Sequence, residues 1–126
     1  MRLNDFTLSI TNLDDFIYKT TTSSLPNQIS FNQLSKAAHT SHASINRRYR
    51  IFMRVKRSDD TNINKARAKR CCNMVKKHIK DLKKVRAYLY KHNMTTEHPI
   101  FSEKIDGWID QCERIHSRYK HHINEL

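Results

Sequence analysis

The chain has 126 residues, a net charge of +12, a single glycine (Gly107) and two prolines (Pro26 and Pro99). That length suits one compact domain or two small helical lobes, and it is too short for a DNA-binding head joined to a full ligand-sensing domain. Scarce glycine disfavours tight β-hairpins and phosphate-cradling loops, and so disfavours a nucleotide-binding enzyme and favours helices.

Asn12 opens a short helix, with Asp15 three residues on as an acidic first-turn partner and Leu13, Phe16 and Ile17 as the buried stripe. The run Thr20–Ser24 lowers helical propensity and Pro26 stops any continuation, so residues 20–28 read as a linker. Ser30 caps a second helix, with Gln33 in capping-box position and Phe31, Leu34, Ala37 and Ala38 on its apolar side. Ser41 caps a third, His42 to about Arg54, with Ile45, Tyr49 and Phe52 facing inward. The stretch Arg50–Arg57 also alternates well enough to be a short strand leading into a wing, although helix is favoured. Ser58, Asp59 and Asp60 break the pattern and cap a long helix over 61–93, whose stripe is Ile63, Cys71, Val75, Ile79, Leu82, Val85 and Leu89. Asn93–Glu97 forms a connection. Pro99 then starts a last helix, about 100–124, striped by Ile105, Trp108, Ile109, Cys112, Ile115, Tyr119 and Ile123. Two amphipathic helices joined by a short loop pack antiparallel.

The charge is concentrated in the middle of the chain. Residues 31–93 hold 18 Lys and Arg against Asp59, Asp60 and Asp81, a net +15, whereas residues 1–30 come to −1 and residues 94–126 to −2. A basic centre between near-neutral ends suggests a polyanion-binding surface. Within it, the run from Leu34 through Ser35, Lys36, Ala37, Ala38, His39, Thr40, Ser41, His42, Ala43, Ser44, Ile45, Asn46, Arg47 and Arg48 to Tyr49 resembles the helix-turn-helix superfamily of bacterial and phage regulators. The likeness spans residues 30–52: Ser-Ile-Asn-Arg-Arg is similar to the recognition helix of Cro-type repressors, and the His-Thr-Ser turn resembles the LysR-family head. It implies a turn at His39–Ser41 and a second helix lying in the DNA major groove. The departures are His39 where glycine is usual, Thr40 where valine is usual, and Arg48 at an often apolar position.

This resemblance implies sequence-specific binding of double-stranded DNA by a small transcriptional regulator. The base-contact candidates are His42, Asn46, Arg47 and Arg50, since Asn pairs bidentately with adenine and Arg with guanine. The phosphate-contact candidates are Lys36, Ser41, Arg48, Arg54, Lys76 and Lys80. The expected fold is all-α, possessing a helix-turn-helix head at residues 1–57, winged if the strand forms, and an antiparallel hairpin at 61–126 that dimerises and adds basic surface. Without a sensor domain, control falls to abundance or to a protein co-regulator. The rival readings are a basic helical adaptor or chaperone meeting an acidic protein, and an RNA binder using Lys76–Arg86.

No enzyme, cofactor or metal site is expected. Eight histidines invite a zinc site, and Cys112 and His116 stand four apart, but Cys71 and Cys72 are adjacent and not a C-x-x-C pair. Glu103, Asp106, Asp110 and Glu113 are expected to pair with Lys104 and Arg114 along their own helix. An odd cysteine count is a poor disulfide framework and suggests reduced thiols. Residues 1–19 hold Asp5, Asp14 and Asp15 without a secretory apolar core, and no run approaches the ~20 residues of a membrane span, so a location in the bacterial cytosol or nucleoid is expected.

Overall fold

Asn12 begins the ordered chain of helices as its sequence suggests: its Oδ1 accepts the Asp15 N–H at 2.8 Å, and Asp15 Oδ2 accepts the Thr11 N–H at 3.1 Å. The computed structural model describes residues 10–22, 29–55 and 61–125. Among them the elements are α1 (Leu13–Thr22), α2 (Phe31–Val55), α3 (Thr61–Lys91), a single turn α4 (Met94–Glu97) and α5 (Pro99–Glu125), with no strand. The protein is all-α. The expected linker start at Thr20 is helical: the hydroxyls of Thr20, Thr21 and Thr22 donate back to the carbonyls of Phe16, Ile17 and Tyr18 at 2.9, 2.9 and 2.6 Å. Such back-bonding satisfies the hydroxyls within the helix, while threonine remains a weak helix former. The rest of the linker and the Ser58–Asp60 cap lie outside the described residues.

The turn that the helix-turn-helix likeness requires does not form. Residues 31–55 make one helix of 25 residues, about 37 Å long. His39 is helical, and the only non-glycine residue with positive φ among those described is Asn93, at 57°. The physical reason is the stripe. Leu34, Ala38, His42, Ile45 and Phe52 are all buried and follow at spacings of four, four, three and seven, with half-buried Tyr49 between the last two. One inward face therefore runs unbroken through the supposed turn, and neither glycine nor proline interrupts it. The alternating stretch after Arg50 stays helical to Val55, which removes the wing as far as the structure describes it.

Ring contacts fix the directions. Phe31 packs against Phe101 at 5.2 Å, His42 against Trp108 at 4.5 Å, and Phe52 against Tyr119 at 5.0 Å, so α2 runs parallel to α5. Arg86 pairs with Asp106 and Lys83 with Glu113, so α3 runs antiparallel to α5. The result is an up–down–up three-helix bundle with α1 laid across α2 and α3, where Phe16 meets Tyr88 edge-on at 5.3 Å. Those ion pairs also correct the expected pairing, because Asp106 and Glu113 reach across the hairpin and not along their own helix.

A single core runs through all of this. Leu34 and Phe52 of α2 belong to the same buried cluster as Val75, Leu82 and Val85 of α3 and Ile105, Cys112 and Tyr119 of α5. The division into a head at 1–57 and a separate hairpin at 61–126 therefore does not describe the packing. The apolar stripes of the hairpin pack against α2 and against each other. Among the described residues, the large exposed apolar side chains Tyr18, Ile51, Met53, Tyr90 and Ile100 are dispersed over four elements.

The connection after α3 is set by Asn93, whose left-handed backbone stops the helix while its N–H donates to the Tyr90 carbonyl at 3.2 Å. Pro99 then takes the first position of α5, as its missing N–H permits. At α1, Lys77 holds Asp14 in an ion pair and also reaches Asp81 at 3.2 Å. Burial raises the Asp81 carboxyl, with Lys77 opposing the shift. A carboxyl raised in the folded state favours folding when protonated, so its contribution falls as pH climbs from the ordinary Asp range through the raised value. Asp81→Asn is thus expected to be more stable than the parent protein at pH 7 by urea denaturation, with the gap closing below about pH 4.

Candidate nucleic-acid interface

The parallel alignment of α2 and α5 leaves a groove on one side of the bundle. It holds about 530 Å³ and is lined by Asn46, Tyr49 and Arg50 from α2 and by Gln111, Arg114, Ile115 and Arg118 from α5. Three arginines face it and no acid lines it. Spacing explains the alignment. Asn46 and Arg50 are four apart on α2, and Gln111, Arg114 and Arg118 are three and four apart on α5, so each set shares one helical face. Arg118 is tied to the wall, because its Nη1 donates to the Tyr49 hydroxyl at 3.0 Å. Arg50 and Arg114 have no carboxylate partner among the described residues. Guanidinium groups of this kind suit planar, bidentate recognition of phosphate.

Lys36, Arg47, Arg50 and Arg54 follow at spacings of eleven, three and four on the same outer strip of α2, and all four are exposed. They extend the positive surface along the groove edge. Arg48 is also exposed but stands about a third of a turn away, on the α3 side. Ser41 is half-buried beside a second cavity, between α1, α2 and α3, which it lines with Ser44, Met74 and His78. It is a mid-helix residue and not an N-cap.

His42 requires a correction. It was expected to meet base edges, yet it is buried at 4 % exposure in the middle of the bundle. Its ring stacks on Trp108 at 4.5 Å, and its Nε2–H donates to Gln111 Oε1 at 3.0 Å. Asn46, one turn on, is half-buried in the groove and does not project from a free rod. Of the four base-contact candidates, Arg47 and Arg50 alone are fully exposed.

Lys76 and Lys80 are exposed on α3 but belong to another surface. Lys76 lies near His116 and Lys120 on the α3–α5 face, where burial and then the two ammonium groups lower the His116 pKa. Part of the α3 basic run is neutralised there by the Lys83–Glu113 and Arg86–Asp106 pairs at 3.6 and 3.4 Å. The α2–α5 groove gathers Arg50, Arg114 and Arg118 with no carboxylate in its lining.

Comparison with protein-family models, with curated proteins and with solved structures finds no match to this chain. The groove must be read from its chemistry.

Sequence reasoning passed over Arg114, Arg118 and Gln111. They sit in a segment of net −2 charge, and only the parallel packing of α2 on α5 makes them neighbours of Arg50. No helix among the described residues is long and apolar enough to cross a membrane.

Proposed function

We propose that this protein binds nucleic acid through its phosphate backbone, with duplex DNA as the ligand and the α2–α5 groove as the contact surface. The observation that carries the proposal is the acid-free groove faced by Arg50, Arg114 and Arg118. Backbone contact explains the excess of guanidinium groups and needs no free recognition helix. The burial of His42 and the flanking of α2 by α5 argue against base readout by an inserted α2. A regulatory role would then rest on affinity and on where the bundle sits along DNA, with little base code. Dimerisation is not needed for this mode, and a partner protein would have to dock outside the groove.

The test is fluorescence anisotropy with a labelled mixed-sequence duplex across a salt series. Binding is expected to weaken steeply, with a log–log slope of about −4 if four or five cations each neutralise a phosphate. Duplexes of unrelated sequence are expected to bind within about threefold of one another, and Asn46→Ala to shift all of them together. Failure of duplex DNA to bind at low ionic strength would sink the proposal, and so would strong preference for acidic polypeptide over duplex.

A further inference from the structure

Midway along the bundle each long helix turns one metal-ligating side chain to a common point: His42 from α2, His78 from α3 and Cys112 from α5. All three are buried, at 4 %, 5 % and 0 % exposure. His42 Nδ1 lies 3.3 Å from His78 Nε2 and 3.8 Å from Cys112 Sγ, and the three ligand atoms fall within 4.8 Å of one another. We propose that His42, His78 and Cys112 bind a divalent transition-metal ion of the zinc class, pinning the three helices together.

The spacing fits that ion. With metal–nitrogen bonds of about 2.0–2.1 Å at tetrahedral angles, two nitrogens stand roughly 3.3 Å apart; a thiolate sulfur about 2.3 Å from the metal stands roughly 3.5 Å from each nitrogen. The observed 3.3 Å and 3.8 Å lie close to those values, and the third edge, from His78 to Cys112, lies within 4.8 Å and closes by side-chain rotation when the ion binds. Orientation fits as well. Gln111 Oε1 takes the Nε2–H of His42, which leaves the Nδ1 lone pair aimed into the cluster. A metal-bound histidine is ordinarily held by such a hydrogen bond through its other nitrogen. Trp108, stacked on His42 with an interplanar angle of 17°, fixes the ring.

Hydrogen bonding alone leaves the cluster poorly matched. Nδ1 of His42 has one lone pair, yet both His78 Nε2 at 3.3 Å and Cys112 Sγ at 3.8 Å crowd it, and one lone pair accepts well from only one donor. A cation accepting one lone pair from each of the three atoms removes that competition. Burial holds both imidazoles below their ordinary range, His78 at about 4, and pushes the Cys112 thiol up to about 12. The ion's own charge would stabilise the thiolate on loss of the S–H proton to solvent. Among the described residues no fourth His, Cys, Asp or Glu joins the set. The fourth position falls to water, and His78 also lines the cavity of about 330 Å³ between α1, α2 and α3, which offers a path for entry.

The test uses the full chain stripped with chelator and titrated with Co²⁺. One equivalent is expected to give tetrahedral visible bands and a thiolate-to-cobalt charge-transfer band, to quench the single tryptophan, Trp108, and to be displaced by Zn²⁺. Cys112→Ala, checked for helicity, is expected to lose the charge-transfer band, while the double variant Cys71→Ala/Cys72→Ala keeps it and His121→Ala binds normally. Zn²⁺ is expected to raise the melting temperature of the unaltered protein by several degrees and chelator to reverse the rise. Absence of the thiolate band, its persistence in Cys112→Ala, or a melting temperature indifferent to Zn²⁺ would each overturn the proposal. The last measurement needs no variant to fold.

Discussion

Thr40→Pro is expected to cost about 3 kcal/mol or more of folding stability, lowering the melting temperature by roughly 10–15 °C. Thr40 is exposed, so the substitution removes little packing and reports on the backbone. In a continuous α2, proline deletes the bond from its N–H to the Lys36 carbonyl and its ring presses on that same carbonyl. In a helix-turn-helix, position 40 would precede the N-cap of the second helix, where proline is readily accommodated. His39→Gly gives a companion result of opposite sign between the two architectures. At a left-handed turn, glycine relieves strain and stabilises. Within α2 it costs about 1 kcal/mol in propensity and also removes a ring that donates from Nδ1 to the Ser35 carbonyl at 2.8 Å and packs edge-on against Trp108 at 4.9 Å. Thermal and urea unfolding monitored by helicity measure both. A Thr40→Pro protein as stable as its parent, or a stabilised His39→Gly, would be incompatible with an unbroken α2.

The reason the segment reads as two helices lies in one residue. The apolar positions Phe31, Leu34, Ala38, Ile45, Tyr49 and Phe52 leave a gap of seven between Ala38 and Ile45. His42 fills that gap in space, but a histidine counts as polar in any pattern of hydrophobicity, so the stripe reads as stopping and restarting. What buries His42 is Trp108, His78 and Cys112, which lie 36 to 70 residues away in sequence and have no local signature. The same distance hides the metal-ligand cluster. Zinc motifs are recognised by close spacing on one or two elements, and the Cys112–His116 pair draws attention for that reason. In the bundle, Cys112 turns to His42, while His116 faces Lys76 and Lys120. By contrast most of the stripes of α3 and α5 were legible, because Val75, Ile79, Leu82, Val85 and Leu89 and then Ile105, Ile109, Cys112, Ile115 and Tyr119 recur at three and four and Pro99 and Asn93 mark the boundaries, although Cys72 takes the buried position expected of Cys71. The cap of α1 was legible for the same local reason.

Replacing Arg50, Arg114 and Arg118 together with alanine is expected to weaken duplex binding about 100-fold at moderate salt and to make the log–log salt slope shallower by about three. Each guanidinium neutralises one phosphate and releases about one counterion, so affinity and slope must fall together. The three come from two helices, and the sequence gives no hint that they act jointly; the joint effect is therefore a test of the parallel α2–α5 packing as well as of the groove. The control is Lys76→Ala/Lys80→Ala. It removes two cations from the chain but from the α3–α5 face, and is expected to change affinity less than about threefold. Arg118→Ala alone also deletes the bond to the Tyr49 hydroxyl, so helicity and melting temperature must accompany the binding data. If charge alone governed association, loss would scale with the number of cations removed wherever they stood. If the groove governs it, the triple substitution is disproportionate, and restoring Arg50 and Arg114 as lysines recovers about two of the three lost steps in slope while recovering a smaller share of the affinity, since an ammonium supplies the charge without the planar pair of donors.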